Sequence, residues 1–250
     1  MATINVADYQ VDPAFPPDKE RDFPPSEEGW MHAHNSLREE LVLMTKALTA
    51  VTERGSLQEW EAEALGRWWT HHSEHLHSHH KNEDDLFSPF MRTRTKLPDK
   101  VEAEHKEIIG KMDELTSLIK SLKPGDNLES VSNLQKAWGS YREVLEAHLL
   151  EEEQVGIPLV RAYFTHKEVS AKTQEIIKKA TRCELGSFFY WMGEDHCRNS
   201  FMPQEGIPFF VWYLEFKGHV AHYRKTVMAD IEAVISGTEP QPETSSCVVM

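Results

Sequence analysis

Along residues 27–160 the apolar positions recur every three or four residues in four successive stretches, the mark of helices that each bury one face. The first, over about 27–53, carries Trp30, His34, Leu37, Leu41, Met44, Leu48 and Val51 on its stripe. Gly55 breaks it. Ser56 with Glu59 then predicts a capping box for a second helix, about 57–91, striped by Leu65, Trp68, His72, Leu76, His79, Glu83, Leu86 and Phe90. Pro98 opens a third, with Val101, His105, Ile108, Met112, Leu115, Ile119 and Leu122. After the turn residues 123–127 (Lys-Pro-Gly-Asp-Asn) a fourth carries Val131, Leu134, Trp138, Tyr141, Leu145, His148, Glu152 and Val155, until Gly156 and Pro158 are expected to stop it.

Four long helices joined by short links predict an antiparallel up-down four-helix bundle. Two more helices follow, about 165–192 (capping box Thr165 with Glu168) and about 208–236 (Phe209, Tyr213, Phe216, Val220, Tyr223, Val227, Ile231, Val234). They are expected to pack on the bundle as a C-terminal helical extension. No strand pattern occurs, so the fold class is all-α. The prolines at 16–17 and 24–25 predict an extended N-terminal arm. The expected organisation is therefore an arm over 1–25, the bundle over 26–160, the extension over 161–236 and a flexible tail over 237–250.

Composition narrows the function classes. The chain has 250 residues and a net charge of −14, with 41 acidic against 27 basic residues, which excludes the basic footprint of a nucleic-acid binder. No apolar run is long enough to span a membrane. The start of the chain lacks a basic stretch followed by an apolar one, so no secretory signal is read. Three cysteines without a Cys-x-x-Cys pair point to a reducing compartment, and the expected location is the cytoplasm. Cys247-Val-Val-Met250 has the form of a farnesylation box; one prenyl chain at Cys247 would give weak, reversible membrane contact.

What changes the picture is the chemistry inside the stripes. Of 14 histidines, His34, His79, His105 and His148 interrupt apolar faces, joined by Glu83 and Glu152. Counted from the turns at about 55 and 125, these residues fall at about the same height on all four helices, to within roughly one helical turn. Unpaired buried carboxylates cost several kcal/mol, so six such positions at one level need a shared cause. His79 with Glu83, and His148 with Glu152, are i, i+4 pairs on one face. Imidazole plus carboxylate suits iron, manganese or zinc.

His80 lies about 100° round the helix from His79 and is the seventh candidate ligand. His72 is expected to be buried nearby, His71, His75 and His77 on the flank or in solvent, and His32 exposed. Glu215, His219 and His222 read as a solvated face, Cys183 and Cys197 as buried or half-buried thiols, and the tryptophans as packing residues.

The ordered set His34-Asn-Ser-Leu-Arg38, His77-Ser-His-His-Lys-Asn-Glu-Asp-Asp-Leu-Phe87, Glu104-His105 and His148-Leu-Leu-Glu-Glu152 resembles the hemerythrin-like proteins with HHE cation-binding domains, over about residues 27–160. The resemblance implies a non-haem di-iron site, with a bridging oxo or hydroxo group, held by His34, His79, Glu83, His105, His148 and Glu152, the two glutamates bridging. It also implies that O2 or peroxide is bound, sensed or reacted with. The alternative is an iron-binding or iron-sensing protein without O2 chemistry. Oxygen carriers of this type have a second histidine one turn from the third-helix ligand; here Val101 and Ile109 stand there. Their fourth-helix carboxylate lies five residues after the histidine rather than four. With His80 set aside, about two coordination positions would stay open, which favours redox chemistry over clean reversible binding. A ferritin-like oxidase would need two Glu-x-x-His motifs, and only Glu102-x-x-His105 fits.

Overall fold

The structure is a computed structural model that describes residues 4–240, apart from the side chains of Asp99, Val101, Glu102 and Ala103. Cys247, expected to be farnesylated, and most of the expected tail lie outside the described residues, as does the side chain of the stripe position Val101. Their regular structure is all helical, with two isolated bridges and no strand. No helix among them is long and apolar enough to cross a membrane.

Helix α1 is Gly29–Arg54, and Gly55 ends it with φ +76°, a left-handed conformation that glycine adopts without strain. Helix α2 spans residues 59–92. Its capping box uses Gln58 and Glu61, whose carboxylate accepts from the Gln58 N–H at 2.8 Å, rather than the expected Ser56 and Glu59. One turn of α2, Glu83–Phe87, is wound to the wider π form. That inserts a residue into the register, so the buried positions become Phe87 and Met91 instead of the expected Leu86 and Phe90. Helix α3 is Asp99–Lys120 and α4 is Glu129–Tyr163.

Gly156 and Pro158 do not stop α4. Pro158 sits inside the helix, and Gly156 accommodates the Trp30 indole, whose nearest ring atom is 2.6 Å from where a Cβ would stand. The helix expected over 165–192 is instead two: α5, His166–Lys179, and α6, Arg182–Met192. A second capping box, Thr181 with Glu184, starts the latter. A short helical segment α7 covers residues 194–204, and α8 covers 212–236 with two wide turns.

The four long helices pack around a common core, α1 on α2 and α4, and α3 on α2 and α4. Leu41, Met44, Leu48, Trp68, Leu134 and Tyr141 are fully or almost fully buried there. Helices α6 and α8 cover the α1–α2 face. On α8 the buried stripe runs through Phe216, Tyr223, Val227, Ile231 and Val234, while the expected stripe members Phe209 and Tyr213 are exposed. Arg54 closes the far end by donating to the Val234 carbonyl (2.7 Å) and to Glu61 (2.5 Å). The N-terminal segment lies against the opposite end: Tyr163 Oη donates to the Val6 carbonyl (2.9 Å), and Arg21 donates to the Phe164 carbonyl (2.7 Å).

Candidate metal centre

Seven side chains from four helices converge at one level of the core. His34 comes from α1; His79, His80 and Glu83 from α2; His105 from α3; His148 and Glu152 from α4. Six are at most 5% exposed, and the His79 side chain is 9% exposed. Their donor atoms fall into two groups that share Glu83. One is His34, His79, Glu83 and Glu152; the other is His80, Glu83, His105 and His148.

Each carboxylate turns one oxygen to each group. Glu83 Oε1 lies 3.1 Å from His79 Nε2 and 3.8 Å from His34 Nε2, while its Oε2 lies 3.7 Å from His105 Nε2. Glu152 Oε2 lies 3.4 Å from His34 Nε2, while its Oε1 lies 3.5 Å from His148 Nε2 and 3.9 Å from His105 Nε2. The Nε2 atoms of all five histidines are buried with no hydrogen-bond partner, as are Glu83 Oε2, Glu152 Oε2 and His80 Nδ1. Buried polar atoms are otherwise almost always paired, so inward-facing lone pairs on this scale fit a pair of cations. His80, on the flank of its helix stripe, is brought into the set. Its ring stacks on His105 with centroids 4.1 Å apart.

The outward nitrogens are held by carboxylates in a repeating pattern. His34 Nδ1 meets Glu153 at 2.8 Å, His105 Nδ1 meets Asp84 at 3.1 Å and His148 Nδ1 meets Glu104 at 3.1 Å. Each such bond fixes the tautomer and leaves Nε2 free to face inward. Arg38 Nη1 in turn donates to Glu153 (2.6 Å), and Lys100 pairs with Glu104 (3.0 Å). Trp30 Nε1 donates to Glu83 Oε1 at 2.7 Å, so this tryptophan orients a carboxylate as well as packing.

None of these supporting carboxylates was singled out from the sequence. The signal was there: Asp84, Glu104 and Glu153 are the chain neighbours of Glu83, His105 and Glu152. Glu102 of the Glu-x-x-His pattern lies outside the described side chains.

Electrostatics bear on how the centre fills. Burial lowers the His34 pKa, but Glu152, Glu153 and Glu83 outweigh it and raise the value to about 10. His105 is raised to about 9 by Glu152, Glu83 and Asp84 against its burial. His80 is held well below the usual imidazole range, first by burial and then by its histidine neighbours, which keeps it neutral and able to coordinate. Cation binding would displace the protons on His34 and His105.

A cavity of about 110 Å³ opens beside the centre. Its wall includes Trp30, His79, Glu83 and Phe87 from the bundle, and Val169, Thr173, Ile177, Ala180, Leu185 and Phe188 from α5, α6 and their link.

A second cluster lies further along α1 and α2. Glu40, fully buried, accepts from His71 (3.1 Å), His72 (2.7 Å), His75 (3.0 Å) and Ser187 (2.6 Å). His71 and His75 are thus buried, not on the solvent side as expected, because the Glu40 carboxylate compensates their desolvation. His72 is buried as expected and bonds Tyr141 Oη at 2.8 Å. His77 is exposed. His32 is not: its side chain is 11% exposed, walled by Phe188 and Phe201 from the extension.

No curated protein and no solved structure matches the chain. A family model does, that of the hemerythrin HHE cation-binding domain, over residues 27–160, the same stretch that carries all seven converging side chains. With more than half of its length matched, the chain belongs to the hemerythrin HHE cation-binding family.

Proposed function

We propose that this protein holds a non-haem di-iron centre and binds, senses or reacts with O2 or peroxide there. Residues 26–160 would form an antiparallel up-down bundle, with 161–236 as an extension walling the approach to the centre. The observation that carries the reading is the set of partnerless Nε2 atoms of His34, His79, His80, His105 and His148, facing the oxygens of Glu83 and Glu152. His34 and His79 would serve one ion, His80, His105 and His148 the other, and the glutamates would bridge. Manganese or zinc suits the same donors. A bound iron pair supplies redox and Lewis-acid chemistry toward small oxygen species.

The chain's own residues set the conditions. Glu153, Asp84 and Glu104 hold three rings in the coordinating tautomer. Trp30 fixes Glu83 through a charge-assisted hydrogen bond. The two sides are unequal, two histidines against three. The cavity reaches His79, on the side with fewer nitrogens. With His80 in the set, five histidines and two carboxylates would hold the pair, and about one coordination position would be left open rather than the two expected without it. That single position would lie on the His34–His79 side, where the largely apolar cavity wall would favour approach of a small neutral molecule.

Metal analysis of the purified protein tests the reading, with absorbance recorded under nitrogen, air and peroxide. About two iron ions per chain are expected, falling sharply in Glu83→Ala and His148→Ala. Iron content unchanged in both variants overturns the assignment. A reversible oxygen-dependent charge-transfer band marks a carrier or sensor, and turnover of peroxide marks an enzyme. Stable iron with neither leaves the iron-reporting role.

A further inference from the structure

A third convergence of ligand-type side chains lies outside the centre, at the seam between the start of α1 and α7. Glu27 lies two residues before α1, His32 is in the first turn of that helix and His196 is on α7. One donor atom from each falls within 4.8 Å of the others. The imidazole rings are 5.3 Å apart. His196 Nε2 is 2.9 Å from Glu27 Oε2, and His32 Nε2 is 3.9 Å from it. Both nitrogens are buried, and neither makes a hydrogen bond.

A carboxylate oxygen 2.9 Å away but out of line with the ring N–H is poor hydrogen-bond geometry. It is the arrangement of donors that share an ion, each about 2.0–2.2 Å from it and so roughly 3–4 Å from one another. The same signature marks the principal centre. The Glu40 cluster lacks it, since each ring nitrogen facing that carboxylate is paired.

We propose that Glu27, His32 and His196 form a separate mononuclear site for a divalent transition-metal ion of the zinc type. Two imidazoles and one carboxylate are a borderline-soft donor set, unsuited to calcium or magnesium. The edges of Phe188 and Phe201 wall the His32 side, while the Glu27 and His196 side chains, 26% and 35% exposed, leave room for water as a fourth ligand. Gln204 Nε2 donates to the Glu27 carbonyl at 3.0 Å, which holds the far end of α7 in place beside the site. The bound ion ties the extension to the first turn of α1, beside the cavity wall formed by Phe188.

The test is calorimetric titration of the iron-loaded protein with Zn2+, so that the principal centre is already filled. About one further equivalent is expected to bind at about micromolar affinity or tighter. His196→Ala and Glu27→Gln should each weaken that binding at least about tenfold, with iron content and helical circular dichroism unchanged. His196 is remote in sequence from every residue of the principal centre, and iron content reports that centre separately. No zinc uptake by the unaltered protein overturns the proposal. So does uptake that both variants retain, or uptake lost in His75→Ala instead, which would assign it to the Glu40 cluster.

Discussion

At the residue scale the decisive fact is that a histidine nitrogen can be read by whether it has a partner. His80 separates two versions of the centre, with five histidines or with four. Its ring has no hydrogen-bond partner on either nitrogen and faces Glu83, His105 and His148. His80→Ala should therefore lower the iron retained after dialysis against a chelator, by weakening the three-histidine side. His77→Ala, at an exposed neighbour, should leave iron content unchanged. Equal iron content in both variants would return His80 to a packing role.

His71 supports a pH prediction away from the centre. Burial lowers its pKa, but Glu40 and Cys183 outweigh it and raise the value from 6.5 to about 9. A folded-state value above the unfolded one gives stabilisation that is complete below pH 6.5 and is lost as pH rises through 9. Its size is at most about 3 kcal/mol. In metal-loaded protein, where His34 and His105 are held by ions, urea unfolding should weaken over that window. His71→Ala should flatten the change; an unaltered pH profile in that variant would remove Glu40–His71 as its cause. Such a pairing was not legible in the sequence, because Glu40 reads there as one more charge on a polar flank. Only the packing of α1 against α2 shows that it faces three histidines.

At the scale of elements, three of the four bundle helices each support a histidine of the next. Asp84 on α2 holds His105 on α3, Glu104 on α3 holds His148 on α4, and Glu153 on α4 holds His34 on α1. Sliding α3 or α4 by one turn would break two of these bonds, and sliding α1 or α2 would break one, so the series also specifies register. Glu153→Gln should lower metal affinity about 10–100-fold while leaving the helices intact, because the amide is a weaker acceptor for the His34 N–H and a weaker partner for Arg38. A competitive chelator titration reads this directly, and unchanged affinity would deny the carboxylate that role.

Gly156→Ala should act from further away. A Cβ there would stand 2.6 Å from the Trp30 ring, which must shift and loosen its bond to Glu83. A loss of about 1–3 kcal/mol is expected, with weaker metal retention, measurable by thermal melting before and after chelation.

The helix stripes were readable at this scale since their period follows from backbone geometry, and four of them placed six ligand candidates at one height. Their punctuation was less readable. Pro158 lies inside α4, and the wide turn at Glu83–Phe87 moves burial from Leu86 and Phe90 to Phe87 and Met91. Neither event has a composition signal; both are set by what the neighbouring helices need to bury.

At the scale of the whole molecule, the sequence could show that further helices follow the bundle but not how many there are or what they enclose. The extension covers the α1–α2 face and walls the cavity beside His79 and Glu83 with Val169, Thr173, Ile177, Ala180, Leu185 and Phe188. A centre buried on all sides by bundle helices can exchange ligands only through such a gap or by local opening of the helices. The two routes differ in their response to side-chain volume. Ala180 is half-buried at the end of α5 and contributes only a methyl group to the wall. Ala180→Leu would extend three more carbons into a space of about 110 Å³. If the cavity is the route, azide binding to the iron-loaded protein should slow by about tenfold or more, with iron content unchanged and the melting temperature within a few degrees. If local opening is the route, the rate should follow stability and be insensitive to the substitution. Stopped-flow absorbance at the azide charge-transfer band distinguishes them, and an unchanged rate in the leucine variant would place the entrance elsewhere in the bundle.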